Sequence, residues 1–310
     1  MEGAVREGRP REARNLLYFS GVVGLGRFRC PPGNPAWREE NRIGTWPLVA
    51  FPGTTVGIRQ ADRDLVVGNP NQAVCYRAGQ PYRRKLISPE GDRCTYVVIS
   101  PSTLTEMTAE FGADAEPDEA AFPTVAAPIP TAAFLAHRAA VRHVTRYLNG
   151  NAGPGVDGLG VDEALLGAVR AVVASAVPRS ERPTAPRRSA RTEAAHAEAV
   201  EHAKAVLAER FAEQLSLEAV AREVHTSPFH LARLFRQRTG SALHEYRTQL
   251  RLRAAVDRLD GGDTLADVAA ACGFASHSHL TDVFRRAFGA SPSAIRADAW
   301  AAASAVRAGR

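Results

Sequence analysis

Leu217-Glu-Ala-Val-Ala221 and, further along the chain, Leu265-Ala-Asp-Val-Ala269 open two stretches that run in parallel. Leu231…Phe235-Arg236 is answered by Leu280…Phe284-Arg285, and Thr239-Gly240 by Phe288-Gly289. Paired positions lie 48 residues apart before the turn and 49 after it, so the second copy carries one extra residue in its turn. Each copy reads as a short helix, a tight turn and a second helix, the plan of a helix-turn-helix. Two such units present two helices to successive major grooves, which implies double-stranded DNA as the partner.

The caps locate the reading helices. Ser227 is a good N-cap and Pro228 suits the first helical position, which starts the first reading helix there. Leu231, Leu234 and Phe235 form its inward face, leaving Phe229, His230, Ala232, Arg233 and Arg236 outward. Arg233 is the best candidate for a base contact, because a guanidinium bonds guanine O6 and N7 in a bidentate manner. Phe229 is placed to lie on a thymine methyl or to pack on its own domain, and Arg236 to hold phosphate. In the second unit Thr264 is an N-cap, Gly273 occupies the turn and Ser276 caps the reading helix. Ser276, His277, Ser278, His279, Thr281 and Arg285 form its polar surface, with Leu280, Phe284 and Phe288 inside. His277 and His279 are two apart and cannot face the same way on a helix, which argues against a metal pair and leaves base or phosphate contact as the better reading. Asp282 would repel phosphate, yet it can accept from cytosine N4. A lead-in helix runs from about Glu193 to Arg210. A joining helix runs from Ala242 to Leu259, with Arg247, Arg251, Arg253 and Arg258 read mainly as a solvated face or as members of local ion pairs, one or two of them touching the DNA backbone.

Residues 196–300 resemble the DNA-binding domain of the AraC/XylS family of bacterial regulators. The motif that carries the resemblance is Gly273-Phe274-Ala-Ser276-His-Ser-His-Leu280-Thr-Asp-Val-Phe284-Arg-Arg-Ala-Phe288-Gly289-Ala-Ser-Pro292, together with both helix-turn-helix units and the helix between them. The resemblance covers about a third of the chain. It implies a monomeric reading module with two recognition helices one DNA turn apart, and transcription control through contact with RNA polymerase. Better-known members often carry a basic residue at the position of Asp282, so the second unit is expected to read weakly.

The rest of the chain is consistent with a regulator. At 310 residues there is room for two domains with their own cores. A sequence pI near 9.5 and a net charge of +6 fit a polyanionic partner. No apolar run reaches the roughly 18 residues of a membrane span. Residues 1–15 form a charged tail without an apolar secretory core, so a cytoplasmic protein with reduced thiols is expected. Residues 16–104 read as short strands separated by Gly and Pro turns, an α+β organisation with a cupin-like β-barrel or sandwich sensor ahead of the all-α reader. Residues 130–177 read as a helical hairpin whose apolar stripes pack on the strand domain or on a second subunit of a homodimer. Residues 178–192, rich in Arg and Pro, read as an extended linker, and 193–300 as the double helix-turn-helix domain.

What the sensor senses is open. There is no histidine before His137, which argues against a metal-dependent cupin enzyme. Cys30, Cys75 and Cys94 are candidates for a soft metal such as zinc, for a redox disulfide, or for ordinary core positions. Arg83, Arg84 and Lys85, with Arg93 beside Cys94, are candidates for a carboxylate or phosphate effector or for a solvated basic turn; Trp37 and Trp46 are candidates for a pocket lining or for structural burial. Cys272 matches Val224 in the repeat and is expected in the core. A regulator that is not an enzyme is the leading expectation. The alternative is a cysteine-based DNA-repair alkyl acceptor, which needs a compact four-cysteine site, and only three scattered cysteines precede the reader. A purely architectural DNA binder would leave the strand-rich domain unexplained.

Overall fold

A computed structural model of the chain describes residues 16–61, 63–111, 122–150, 157–176 and 190–297. The charged tail and most of the expected linker, up to residue 189, lie outside the described residues.

The N-terminal strands are β1 (Leu16–Phe19), β2 (Val23–Cys30), β3 (Asn41–Arg42), β4 (Leu48–Pro52), β5 (Val56–Gln60), β6 (Val66–Gly68), β7 (Gln72–Tyr76), β8 (Pro81–Leu86), β9 (Asp92–Ile99) and β10 (Ala126–Pro128). They form two sheets, ordered β1-β2-β9-β4-β7-β10 and β3-β8-β5-β6. The architecture is therefore an open two-sheet sandwich, the sandwich form of the expected barrel or sandwich. The longest pairing is antiparallel β2 with β9, in register from Val23↔Ile99 to Cys30↔Asp92. Alternation decides which side chain serves which layer. Leu48, Ala50, Val74, Tyr76, Tyr96 and Val98 face the smaller sheet across the sandwich interior. Val23, Leu25, Val49, Phe51, Val97 and Ile99 face the opposite way, onto helices. β9 is thus covered on both faces, which is why Tyr96-Val-Val-Ile99 reads as a continuous apolar run. The larger sheet also takes in β10 from beyond residue 104, pairing Ala126–Pro128 with Gln72–Val74. Three residues without alternating pattern gave that strand no visible signal.

The helices are α1 (Pro101–Ala109), α2 (Thr131–Leu148), α3 (Gly158–Ala176), α4 (Ala190–Glu209), α5 (Leu217–Glu223), α6 (Pro228–Thr239), α7 (Leu243–Asp260), α8 (Leu265–Ala271), α9 (His277–Phe288) and α10 (Pro292–Ala297). Ser100 caps α1 by accepting from the Thr103 N–H, with Pro101 in the first turn. The apolar stripes of α2 and α3 lie against the larger sheet. These stripes are covered within the chain.

The two halves share one apolar layer. The core of the second reading unit (Val256, Leu259, Val268, Leu280, Phe284) is continuous with the layer between the sheet and the hairpin. The first reading unit instead builds its own core with α4, from Val200, Val206, Val220, Leu231, Phe235 and Leu250. Polar contacts close the junction. Asn69 bonds the Tyr246 hydroxyl and Asn71 donates to the Tyr246 carbonyl, all buried. The Glu201 carboxylate accepts from the Val67 N–H at 2.7 Å, and Lys204 donates to Gln72 at 3.0 Å.

Candidate nucleic-acid interface

Both reading units are built from the same local devices. Ser216 and Thr264 cap the scaffold helices α5 and α8, and Ser227 and Ser276 cap the reading helices α6 and α9. Each cap oxygen accepts from the backbone N–H of the third residue of its helix, at 3.1–3.3 Å. Each reading helix ends in a left-handed glycine, Gly240 at φ +77° and Gly289 at φ +69°, as helix C-termini prefer. The turns match as far as their left-handed residue, after which the second copy has one residue more. His225 (φ +54°) stands where Gly273 (φ +75°) stands in the second copy, after the buried pair Val224 and Cys272. Gly273 serves a second need: a Cβ there would meet the Ala212 carbonyl oxygen at 2.3 Å. The lead-in to the first unit runs that close under the turn of the second.

On α6, Leu231, Leu234 and Phe235 are buried while Phe229, Arg233 and Arg236 are exposed. Spacings of three and four put these exposed residues on one helix face. Phe229 is 80% exposed, so the structure does not place it in its own domain's core. His230 does not stand free: its Nε2 lies 3.3 Å from Nε2 of His196 on α4. On α9, His277, Ser278, Asp282, Arg285 and Arg286 are exposed, and Thr281 is half-buried with its hydroxyl bonded to the His277 carbonyl. His279 turns back onto its own unit, with Nδ1 near the Ala275 N–H and its ring edge-on to Phe274 at 5.6 Å. Arg286, absent from the residues picked out by sequence, shares the exposed face with Asp282, and the four-residue spacing was the available signal. Among the described residues Arg233, Arg236 and Arg285 are in no salt bridge, so these cations are not neutralised by a neighbouring carboxylate.

The arginines of α7 correct the sequence reading. Arg251 and Arg253, read as part of a solvated face, are buried. Arg251 donates to the carbonyls of Phe211 and Glu213, and Arg247 to that of Leu215. Arg253 donates to the Pro70 and Ile129 carbonyls of the N-terminal half and lies over the Phe134 ring at 4.8 Å. Burial pushes its pKa down to about 9. These side chains hold lead-in, joining helix and sandwich together. Only Arg258, paired with Asp263, remains in the role of a surface cation.

The sensor candidates do not converge. Cys75 sits on the helix-facing side of the larger sheet, whereas Cys94 packs toward the sandwich interior. A site of three thiolates from Cys30, Cys75 and Cys94 is therefore not assembled, because the sheet lies between Cys75 and Cys94. Burial pushes the Cys75 thiol up to about 12 and raises Cys30 and Cys94 as well, the condition of inert core thiols rather than reactive ones. Among the described residues no group of three or more His, Cys, Asp and Glu side chains is placed to hold a metal ion. Arg84 points inward, 3.5 Å from the Asp92 carboxylate, over the Phe28 ring and bonded to the Tyr82 hydroxyl. Arg83 and Lys85 alternate outward from it and are exposed. Trp46 packs at a tilt on Phe19, and Trp37 donates to the Pro31 carbonyl. Cys272 is fully buried, as expected from the repeat.

Comparison with known proteins agrees with this geometry. Residues 220–298 match the family model described as a helix-turn-helix domain. The HTH-type transcriptional activator RhaS of Escherichia fergusonii is 40% identical over 96 residues, 31% of this chain and 34% of the relative. The HTH-type transcriptional activator RhaR of Pectobacterium atrosepticum is 41% identical over 80 residues, 26% of this chain and 28% of the relative. The chain thus spans about a third of the length of the curated relatives it matches. Among solved structures, the DNA-binding domain of AdpA in complex with a target DNA is 34% identical, covering 32% of this chain and 91% of that one with a TM-score of 0.31. Among the described residues no helix is long and apolar enough to cross a membrane. Residues 220–298 are a helix-turn-helix domain of the doubled, AraC/XylS type.

Proposed function

We propose that the protein is a sequence-specific, double-stranded-DNA-binding transcription regulator whose N-terminal half receives the controlling signal. One observation carries the reading: two capped helices of the same local build each present an exposed polar face with unneutralised arginines. α6 is the principal reader, with Arg233 on base edges, Phe229 against a thymine methyl or sugar and Arg236 on phosphate. α9 contributes through His277, Ser278 and Arg285, while Asp282 limits its hold on phosphate. His230 and His279 act by positioning their helices rather than by reaching bases. The names of the relatives favour a transcriptional activator, and the AraC/XylS resemblance adds contact with RNA polymerase in the cytoplasm. No chemistry is assigned to the N-terminal half beyond binding.

Arg233→Ala tests the reader assignment. It is expected to remove discrimination worth about 1–3 kcal/mol at one or two base pairs and leave the others unchanged. Arg236→Ala is expected to weaken binding to all sequences alike and reduce the salt dependence by roughly one counterion. An Arg233→Ala protein with the wild-type base preference would remove Arg233 from the reading role.

A further inference from the structure

A cavity of about 350 Å³ opens where the larger sheet, α2 and α7 meet. It lies on the helix-facing side of that sheet, outside the sandwich interior that Tyr76, Tyr82 and Arg84 already fill. Its lining has two characters. Phe51, Phe134, Ile129 and Pro52 give it an apolar side, and Arg27, Arg29, Arg93 and Arg138 bring positive charge. The single carboxylate in the lining is Asp257, contributed by α7 of the reading half. Arg138 is bound to it at 2.8 Å and to Asp260 at 3.1 Å, and Arg93 pairs with Glu90, but neither Arg27 nor Arg29 has a carboxylate partner among the described residues. At the base His137, 1% exposed, lies flat on Phe51 with ring centroids 3.9 Å apart, and its Nε2 meets Thr95 Oγ1 at 3.1 Å. Its Nδ1 is buried with no hydrogen-bond partner among the described residues, and the Nε of Arg138 is in the same condition. Buried polar atoms without partners are rare, and at a cavity wall they mark where a ligand atom completes the set.

A larger cavity of about 740 Å³ lies between β6, β8 and α4, but there Arg59, Lys85 and Arg210 face the carboxylates of Asp64, Glu198, Glu201, Glu209 and Glu223. That lining disfavours an anion. The smaller cavity favours one, and its flat apolar floor beside a buried imidazole suits a planar organic body better than a DNA phosphate, which needs neither.

We propose that the smaller cavity binds an organic carboxylate with a flat apolar body, its head group taken by Arg27, Arg29 and Arg138, and that the bound anion draws Arg138 off Asp257 and Asp260. Those two carboxylates lie in the last turn of α7, the helix that joins the two reading units. Arg253, one turn earlier, holds the carbonyls of Pro70 and Ile129, both of which line the cavity. Occupancy is thereby linked to how the joining helix is held. This consequence for DNA rests on the regulator reading above; the binding step does not.

The test uses the full chain with the fluorescent carboxylate 2-naphthoate and its neutral counterpart 2-naphthamide. Naphthoate is expected to bind one per chain and naphthamide about tenfold more weakly or worse, because the amide forgoes the charge-assisted bonds. Arg27→Gln with Arg29→Gln, both at exposed positions, is expected to lower naphthoate affinity about tenfold or more with the thermal midpoint unchanged. Hydrogen exchange at residues 257–260 is expected to rise with naphthoate. No naphthoate binding, equal binding of acid and amide, or an unchanged affinity in the double variant overturns the site. Binding without any change in exchange overturns the link to α7. Duplex binding by the same preparation without naphthoate is measured alongside, so a failure to bind DNA strikes the regulator reading and leaves the cavity result standing.

Discussion

His137 fixes a pH dependence of stability that can be worked out in advance. It is fully buried, stacked on Phe51 and bonded to Thr95, and burial, helped by the neighbouring Arg138 charge, depresses its pKa to about 3. In the unfolded chain the imidazole titrates near its ordinary value of about 6.5. A depressed pKa means that the folded protein refuses a proton which the unfolded chain accepts. The contribution is therefore complete above pH 6.5 and is lost as the pH falls from there toward 3. Between pH 7 and pH 5 the unfolded chain gains most of a proton at this site, which lowers folding stability by about 2 kcal/mol. Other groups titrate over the same range, so the assay is a difference: urea unfolding at pH 7 and pH 5 for the wild type and for His137→Phe combined with Thr95→Val. The second change prevents an orphaned hydroxyl. The double variant is expected to lose about 2 kcal/mol less than the wild type over that interval. Equal losses would mean that His137 is protonated in the folded protein, and the buried neutral imidazole described above would be refuted.

Gly273→Ala is expected to cost about 2 kcal/mol or more in a chemical melt, from the left-handed backbone and the blocked approach of Ala212. His225→Gly, at the matching turn, is expected to leave stability within about 1 kcal/mol of the wild type or slightly above it. Arg253→Met is expected to cost about 2–4 kcal/mol by orphaning the Pro70 and Ile129 carbonyls. It should also uncouple the halves, seen as unfolding that no longer coincides between near-ultraviolet and far-ultraviolet circular dichroism.

Much of the reading half was legible because its information is local. Ser227-Pro228 and Ser276 carry their caps in the sequence, and the periodicity of Leu231, Leu234 and Phe235 names the inward face directly. The repeat supplied what one copy left ambiguous, such as the burial of Cys272. What the sequence concealed depends on contacts across long separations. Arg253 and Arg258 are both arginines on one helix, yet only the fold shows that one meets carbonyls 183 and 124 residues away while the other meets Asp263 nearby. His230 was indistinguishable from a base-reading side chain until α4 brought His196 beside it. The cavity at His137 escaped notice for the same reason. Its arginines come from β2, β9 and α2, and none forms a cluster along the chain. The cysteines illustrate the converse: three similar residues invited a shared site, and strand parity placed Cys75 and Cys94 on opposite faces of one sheet.

Selection of bound duplexes from a random pool by the full-length protein, followed by affinity measurements across a salt series, tests the central claim most directly. Two paired reading helices predict an enriched site with two conserved segments about 10 base pairs apart, the α6 segment the stronger, and affinity that falls steeply with salt. Binding that enriches no sequence, or a single short segment untouched by substitutions in α9, would contradict the account.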